Sequence, residues 1–370
     1  MVNVSTINNS IRIAHIVGKA VHGGVESVVL NYYHHVNHDK FQFDFFVDSD
    51  STANLTDEVC PYGGRVIEIP PYQQAKRYRR ALRIALKEGG YPIVHSHVNT
   101  LAALPLGAAR QVGIPIRIAH VHATEAEGEF ARNIAKHILR ETVPMHATHL
   151  AACSRKVGRW AFGDRRYAVI ENAIDTDDFR FDEESREAIR KRYDIGNGFV
   201  VGAVGRMVHV KNFSFLIDVF KRLKYKVTDS RLLFVGDGPL RSALERQALD
   251  LGLGNDVLFV GAQSRMAPFY SAMDVLCMPS YSEGFAMVLL EAQCSGLSAI
   301  ASTNIPPDVN VTGTLRYLDL DAGPSIWAEA ISSSKHADRG SYHPDLGDYD
   351  IEVAAVRLER LYGTALLGLR

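Results

Sequence analysis

The segment SYSEGFAMVLLEAQCSG, residues 280–296, carries two carboxylates that call for a chemical explanation. Glu291 stands inside a run of Met, Val, Leu and Ala residues, which is typical of a helix that packs against a core. Because burying an unpaired carboxylate costs on the order of several kcal/mol, Glu291 needs a cation, a cluster of donors or a ligand. Glu283 precedes it in the same segment. The spacing Ser280-x-x-Glu283 also matches a capping box, in which Glu283 only satisfies the first N–H groups of a helix.

Two cations come earlier in the chain, in the motif VGRMVHVKN. Arg206 is expected at the end of a strand and Lys211 at the start of the following helix. A guanidinium and an ammonium in such a loop can together neutralise a diphosphate. Near the N-terminus, Gly23 and Gly24 follow the first predicted strand and open the first predicted helix, where bare N–H groups can meet an anion or a sugar.

Four histidines end two predicted strands. His95 and His97 end PIVHSH, and His120 and His122 end IRIAHVH. Strand alternation places each pair on one face. Imidazoles at two neighbouring strand ends could bind zinc and make the chain a hydrolase, although no carboxylate or cysteine at ligand spacing completes the set.

Short apolar runs alternate along the chain with longer amphipathic ones, so the sequence predicts repeated strand–helix–strand units. The predicted strands cover residues 11–17, 41–47, 65–69, 92–97, 116–122 and 149–153, and then 199–205, 231–238, 256–261, 274–280 and 297–303. Two doubly wound, Rossmann-like α/β domains follow, with ligands expected at the carboxyl ends of the strands. We expect domains over 1–173 and 174–347, and a final helix within 348–370 that closes the second domain or crosses back to the first.

Composition narrows the class of protein. The 370 residues suffice for two hydrophobic cores, and a formal net charge of -1 argues against general binding to nucleic acid. The four cysteines lie far apart, which argues against a disulfide framework or a cysteine zinc site and favours the reducing cytoplasm. The first residues match neither a signal peptide nor a membrane span.

Taken together, Arg206, Lys211 and Glu283-x7-Glu291 with the intervening Gly284-Phe285 resemble the motifs of family 4 retaining glycosyltransferases of the GT-B fold. Further stretches are similar to the branch of this family that builds capsular polysaccharides and exopolysaccharides in bacteria. These stretches are GGVESVVLNYY (23–33), IVHSHVNTL (93–101), RIAHVHAT (117–124), NAID (172–175) and LLEAQCSGL (289–297). The resemblance covers nearly the whole chain. It implies two Rossmann-like domains that face each other across a cleft, the first for the acceptor and the second for a nucleotide sugar.

The resemblance also implies a role for each motif residue. Glu291 would accept hydrogen bonds from the ribose, so that its partner is the ligand and not a residue, and Glu283 would lie beside the donor sugar. Arg206 and Lys211 would stabilise the leaving diphosphate, so that no metal or other cofactor is expected. The other implied contacts are Gly23, Gly24, Gly284, Phe285 and Ala286 to the donor, His122 or His120 near the reacting carbon, and His97 and Asn172 on the acceptor side or as secondary contacts.

The implied function is the transfer of a hexose or N-acetylhexosamine, with retention of configuration, from a UDP-linked donor to a lipid-linked saccharide. The nearest alternative is a UDP-sugar epimerase of the same architecture. A zinc hydrolase that uses the strand-end histidines, and a nucleotide-sugar-binding protein without catalysis, are the further alternatives.

The segment QQAKRYRRALRIALKEGG, residues 73–90, predicts an amphipathic helix with a strongly basic face. The apolar positions that follow helical spacing are Ala75, Tyr78, Leu82, Ala85 and Leu86, while lysines and arginines fill most of the remaining positions. This face is either solvated or in contact with anionic lipid headgroups. The second alternative would place a cytoplasmic enzyme on the inner surface of the cell membrane.

Overall fold

The computed structural model describes residues 10–21, 24–123, 139–334 and 339–369. The chain divides into two compact units. Domain 1 comprises Met1–Ile174 together with Asp348–Arg370, and domain 2 comprises Asp175–Gly347.

Domain 1 is built on a sheet of seven strands. They are β1 (Ile11–Gly18), β2 (Phe41–Asp48), β3 (Arg65–Ile69), β4 (Ile93–Ser96), β5 (Ile116–Val121), β6 (His149–Ala152) and β7 (Ala168–Val169). All neighbours pair in parallel, in the order β3-β2-β1-β4-β5-β6-β7. The helices that precede domain 2 are α1 (Gly24–His35), α2 (Thr56–Val59), α3 (Ala75–Gly89), α4 (Ala103–Gln111), α5 (139–146) and α6 (Arg155–Phe162).

Domain 2 repeats this plan with six strands. They are β8 (Phe199–Val204), β9 (Ser230–Val235), β10 (Val257–Phe259), β11 (Val275–Met278), β12 (Ser298–Ser302) and β13 (Leu315–Leu318). These strands are also parallel, in the order β10-β9-β8-β11-β12-β13. The helices are α7 (Glu183–Arg192), α8 (Phe213–Leu223), α9 (Arg241–Asp250), α10 (Ala267–Ala272), α11 (Met287–Cys294) and α12 (Gly323–Ser332).

The strand order reverses beside the first strand of each sheet, between β1 and β4 and between β8 and β11. At such a switch point the two connecting segments leave towards opposite faces, which opens a crevice at the carboxyl ends of the strands. Each domain therefore has one position where its fold favours a ligand.

The central strands are buried along their whole length, as in β2, β4 and β11. Burial of this extent requires helices on both faces of a parallel sheet and explains why apolar residues are frequent in these strands. Asp44 of β2 is a charged residue in a buried strand, and hydrogen bonds offset the cost of burying its carboxylate. Burial alone would raise the pKa of Asp44, but donors on Arg12, Arg65 and Tyr91 hold it below its usual value.

The structure confirms the two parallel-sheet domains and contains every predicted strand. The sequence did not predict β7 and β13, because two residues of β7 and the half-exposed four of β13 give too little apolar pattern. The last helix, α13 (Ile351–Leu367), lies in the unit of domain 1 and packs on α1. No helix in the described ranges has both the length and the apolar character of a membrane span.

Candidate active site

The loops after β8 and β11 lie at the switch point of domain 2 and bring two predicted site residues together. Lys211 Nζ lies 2.7 Å from Glu283 Oε1. Both side chains are largely buried, with exposed fractions of 16% and 13%. Because an ammonium has three donors and Glu283 takes one, this pair fixes a cation that can serve further acceptors at the carboxyl edge of the sheet.

Glycines keep the backbone of neighbouring loops close to this pair. At Gly205, where φ is +141°, a Cβ would lie 3.2 Å from Lys211 Cε. At Gly236, where φ is +137°, a Cβ would lie 2.1 Å from the carbonyl oxygen of Gly205, and at Gly238 it would lie 2.6 Å from that of Met207. Any side chain at Gly236 or Gly238 would therefore force the ends of β8 and β9 apart.

Arg206 follows Gly205 directly and is exposed. Its loop is held by its neighbours, because Met207 N donates to Asp237 O at 2.9 Å and Tyr281 N donates to Val210 O at 2.8 Å. Across the described ranges, Lys211 forms an ion pair and Arg206 does not. In the described part of the chain, the loop thus presents one cation held in an ion pair and one cation without such a partner.

Glu291 lies in α11, where it has a protein partner. The hydroxyl of Tyr270, in α10, donates a hydrogen bond to Glu291 Oε2. Burial raises the pKa of Glu291 to about 7, and the Tyr270 hydrogen bond partly opposes this effect. The expectation that Glu291 pairs with a ligand and not with a residue is therefore wrong for Oε2.

The segment from Glu283 to Ala286 leads into α11 without a side-chain cap. Ala286 is the N-cap residue and no side chain caps the helix, so the capping-box explanation of Ser280 and Glu283 is wrong. The carboxylate of Glu283 turns to Lys211 instead. Of the predicted donor contacts in this segment, Gly284 and Phe285 are partly exposed and Ala286 is buried.

Domain 1 carries a cluster of buried histidines at its own switch point. The histidine cluster consists of His15, His95, His97, His120 and His122, with exposed fractions of 1%, 1%, 4%, 1% and 6%. The pairing of β1 with β4 sets His15 directly opposite His95. Burial lowers the pKa of His15 to about 3 and that of His122 to about 4, and it lowers the other three as well. All five rings are therefore neutral near pH 7.

Hydrogen bonds link three of these rings in series and end on an amide. His15 Nδ1 lies 3.0 Å from His97 Nε2, and His97 Nδ1 lies 2.9 Å from His122 Nε2. His122 Nδ1 lies 3.3 Å from Asn172 Oδ1. Three of the predicted residues thus meet in one network. Because both nitrogens of His122 are engaged, this residue can bind a sugar only by exchanging one of these bonds.

Two further residues lie beside this network. The hydroxyl of Tyr362, in α13, lies 2.7 Å from His95 Nδ1 and 3.4 Å from His15 Nε2. The ring of His120 lies against that of His122, with centroids 4.0 Å apart. Of the two predicted glycines in domain 1, Gly24 is exposed at the start of α1, and Gly23 lies outside the described residues.

The histidine spacing is compatible with a metal at two positions. The sets His15, His95, His97 and His97, His120, His122 each have ring nitrogens within 4.8 Å of one another. The two sets share His97. Among the described residues, neither set includes a carboxylate or a cysteine.

Sequence reasoning missed Tyr270, His15 and Tyr362. Tyr270 and Tyr362 are fully buried, and each lies on a helix distant in sequence from its partner. His15 was visible in the run IRIAHIV, but its importance depends on the pairing of β1 with β4. Only the rule that sequentially distant strands meet at a switch point could have indicated it.

Comparison with known proteins gives a consistent result. The model of "Glycosyltransferase Family 4" matches residues 22–178, and that of "Glycosyl transferases group 1" matches residues 185–313. A putative glycosyltransferase, EpsF of Bacillus subtilis, is 32% identical over 340 residues, which cover 89% of this chain and 88% of EpsF. The capsular polysaccharide biosynthesis glycosyltransferase CapH of Staphylococcus aureus is 22% identical, covering 95% of this chain and 98% of CapH.

Two further similarities concern a lipid-linked substrate and the fold. The UDP-Gal:alpha-D-GlcNAc-diphosphoundecaprenol alpha-1,3-galactosyltransferase of Escherichia coli is 27% identical and covers 59% of each chain. The crystal structure of Alr3699/HepE of Anabaena in complex with UDP and glucose has a TM-score of 0.78, at 16% identity, and covers 95% of this chain and 99% of HepE.

The two parallel-sheet domains and these matches define a glycosyltransferase of the GT-B architecture. The chain belongs to family 4 of the glycosyltransferases. The comparisons give no support to the alternative of a UDP-sugar epimerase.

Proposed function

We propose that the chain is a retaining, metal-independent hexosyltransferase that acts in capsular polysaccharide or exopolysaccharide synthesis. It transfers a hexose or N-acetylhexosamine from a UDP-linked donor to a lipid-linked saccharide. The names of CapH and of the E. coli galactosyltransferase support the pathway and the lipid-linked acceptor. A UDP-linked donor is supported by the binding of UDP to HepE and by the UDP-Gal donor of the E. coli relative.

The observation that carries this proposal is the pair of cations at the switch point of domain 2. A departing diphosphate gains negative charge as its bond to the sugar breaks, and donors fixed in advance stabilise that charge most effectively. Lys211 is held 2.7 Å from Glu283, and exposed Arg206 stands five residues earlier. Two cations supply the charge that a divalent metal supplies in other transferases, so the reaction proceeds without one.

The other residues take the roles that the family resemblance implies. Glu291, held by Tyr270, offers its carboxylate to the ribose hydroxyls, while the backbone of Gly284, Phe285 and Ala286 faces the diphosphate or the sugar. In the transfer step the bond from the anomeric carbon to the diphosphate breaks. The acceptor oxygen bonds to the same face of the sugar and passes its proton to the departing phosphate, so the anomeric configuration is retained. Domain 1 holds the acceptor.

The first experiment measures nucleotide release from UDP-, GDP- and ADP-sugars, in EDTA and without acceptor, together with thermal shifts for each free nucleotide. We expect stabilisation by UDP alone and slow hydrolysis of one UDP-sugar. Arg246→Ala, which removes an exposed arginine from α9, is the matched control for Arg206→Ala and should leave release unchanged. Release that needs a divalent ion would overturn metal independence, and no response to any nucleotide would overturn the proposed function.

The proposal includes contact with the inner surface of the cell membrane through α3. Tyr78, Leu82 and Leu86 are the buried stripe of this helix, and its lysines and arginines are all exposed. Such a basic face attracts anionic lipid, at roughly 1 kcal/mol for each basic residue near the surface. Bringing the enzyme to the membrane would concentrate it where a lipid-linked acceptor resides.

The test is co-sedimentation with vesicles of phosphatidylglycerol and phosphatidylcholine. The variant with glutamine at positions 77, 79, 80 and 83, which replaces four arginines of α3, should lose binding. The matched control replaces Arg155, Lys156, Arg159 and Arg166, which are exposed around α6 of the same domain. Equal losses in both variants would indicate a general charge effect, and unchanged binding in the α3 variant would exclude this surface.

A further inference from the structure

The histidine cluster contains a line of hydrogen bonds whose direction can be derived. Since burial keeps each imidazole neutral, each ring has one N–H and one lone pair. An amide oxygen only accepts, so the contact with Asn172 Oδ1 requires the hydrogen of His122 to be on Nδ1. Nε2 of His122 then accepts, and its donor is the Nδ1–H of His97.

The inner hydrogen bonds of the line run in the same direction. His97 Nε2 accepts from the Nδ1–H of His15, and His15 Nε2 accepts from the hydroxyl of Tyr362. The hydroxyl oxygen in turn accepts from the Nδ1–H of His95. Every bond in the line then has one donor and one acceptor, with all four rings in the Nδ1–H tautomer. At the inner end, His95 Nε2 has no hydrogen-bond partner among the described residues. In this arrangement it carries a lone pair and no hydrogen. Buried N–H groups without a partner are rarer in proteins than buried acceptors without one, so this direction of the line is favoured.

The line leads from the interior outward. The exposed fraction rises along the line, from 0% for Tyr362 to 1% for His15, 4% for His97 and 6% for both His122 and Asn172. The outermost bond, at 3.3 Å, is longer than the two between rings, at 3.0 and 2.9 Å, and the one longer bond, at 3.4 Å from Tyr362 to His15, lies at the buried inner end. An incoming oxygen atom can therefore replace Asn172 more easily than it can replace any ring of the line.

We propose that this line, the histidine relay, fixes His122 as the Nδ1–H tautomer, so that its outer nitrogen donates a hydrogen bond to a hydroxyl of a sugar substrate in place of Asn172. His97, His15 and Tyr362 are positioning residues, because they act only through His122. The identity of the ligand rests on the proposed function, whereas the tautomer does not.

The test begins with the tautomer itself. The full chain is labelled with 15N-histidine and long-range 1H–15N correlation spectra are recorded, with His122→Gln to assign the signal of His122. In the unmodified protein we expect His122 with hydrogen on Nδ1 only. Because Asn172 Oδ1 by itself holds the hydrogen on Nδ1, the effect of the relay is measured in Asn172→Ala. His122 should keep its hydrogen on Nδ1 in Asn172→Ala, and it should populate both tautomers when His97→Leu, which has no donor to offer Nε2, is added to that variant. His97→Asn should restore the Nδ1–H form, because the asparagine amide nitrogen lies where imidazole Nδ1 lies.

Activity provides the second measurement. His97→Leu should lower kcat for release of UDP from the UDP-sugar by about tenfold, which is the effect of one misdirected hydrogen bond. His97→Asn should stay within about twofold of the unmodified protein, again judged against the worth of one hydrogen bond. We expect KM for the donor to change little in both variants, because the ribose and diphosphate contacts lie in domain 2.

Three results would overturn the inference. One is hydrogen on Nε2 of His122 in the unmodified protein, and another is a tautomer that His97→Leu leaves unchanged in the Asn172→Ala protein. The third is zinc bound in stoichiometric amount with His97 and His122 as its ligands. If His97→Leu does not fold, the unmodified protein and His97→Asn still decide. A correct tautomer in a protein that hydrolyses no nucleotide sugar would contradict the proposed function and leave the relay intact.

Discussion

The two switch points of this molecule share a topology and differ in chemistry. In domain 1 the crevice between β1 and β4 is lined by neutral imidazoles that bond to one another. In domain 2 the crevice between β8 and β11 holds an ion pair of Lys211 with Glu283, beside the exposed cation of Arg206. One site is uncharged and buried, and the other is charged and partly exposed.

This difference follows from what each site is proposed to bind. A sugar hydroxyl is neutral, and a buried neutral donor recognises it without the cost of burying a charge. A diphosphate is an anion, and a cation that keeps some contact with water recognises it at an acceptable desolvation cost. Under the proposed function, the same strand order serves two ligands because the side chains at the strand ends differ.

The largest expected effect is an opposite response of the two domains to acid. The pKa values of about 3 for His15 and about 4 for His122 lie below the unfolded value, so below pH 6.5 the unfolded chain binds protons that the folded chain does not. When the pH falls from 7 to 5, these two residues should lower the free energy of unfolding of domain 1 by roughly 4 kcal/mol. Burial raises the pKa of Asp48 to about 6, so the same relation increases the free energy of unfolding of domain 1 by about 1 kcal/mol between pH 7 and pH 5 and offsets part of this loss.

Domain 2 should respond in the other direction. Burial raises the pKa of Glu291 to about 7, so its contribution to stability is present at pH 5 and is lost as the pH rises towards 7. The chain has two tryptophans, Trp160 in α6 and Trp327 in α12, and thus one in each domain. Urea unfolding of Trp160→Phe and Trp327→Phe, followed by fluorescence at both pH values, separates the domains. Equal acid responses would contradict the comparison, and Glu291→Gln should abolish the gain in domain 2.

The next effect is on turnover. Lys211→Ala should lower kcat by roughly 10² or more, as the loss of one donor to a developing anion does. The matched control is Lys226→Ala, which removes the lysine of an exposed ion pair with Glu329 in the same domain. Turnover of the control should equal that of the unmodified protein. Similar losses in both variants would mean that the charge of Lys211 has no special position.

How far the sequence alone leads can be judged residue by residue. Short runs rich in apolar residues predicted every strand except β7 and β13, since a strand buried on both faces needs apolar side chains at most positions. The approach of Lys211 to Glu283 was implied only by a family resemblance, because 72 residues separate them in the chain. Tyr270 and Tyr362 were not foreseeable, since a buried tyrosine on a helix has the same apolar pattern whether its hydroxyl has a partner or not. Long-range packing decides that partner, and periodicity carries no trace of it.

A smaller effect is expected on nucleotide binding. Glu291→Ala should weaken binding of UDP by about tenfold to a hundredfold, which is the range for hydrogen bonds to a charged group. Glu245→Ala, which breaks an exposed pair with Arg241 on α9, should leave the Kd unchanged. Isothermal titration with UDP measures both. Unchanged binding in Glu291→Ala would place the ribose elsewhere in domain 2.

The smallest and sharpest test compares two buried hydroxyls, one at each site. Tyr270 donates to a carboxylate whose pKa it lowers, whereas Tyr362 lies between two neutral rings. Tyr270→Phe should therefore raise the pKa of Glu291 above about 7, so that the pH below which UDP binding weakens moves upward. Tyr362→Phe should cost about 1 kcal/mol of stability in domain 1, the value of a neutral hydrogen bond, and leave the pH dependence of UDP binding in place. If Tyr362→Phe shifted that pH dependence, the two switch points would be coupled. The neutral site and the charged site would then titrate together and could not be compared as independent sites.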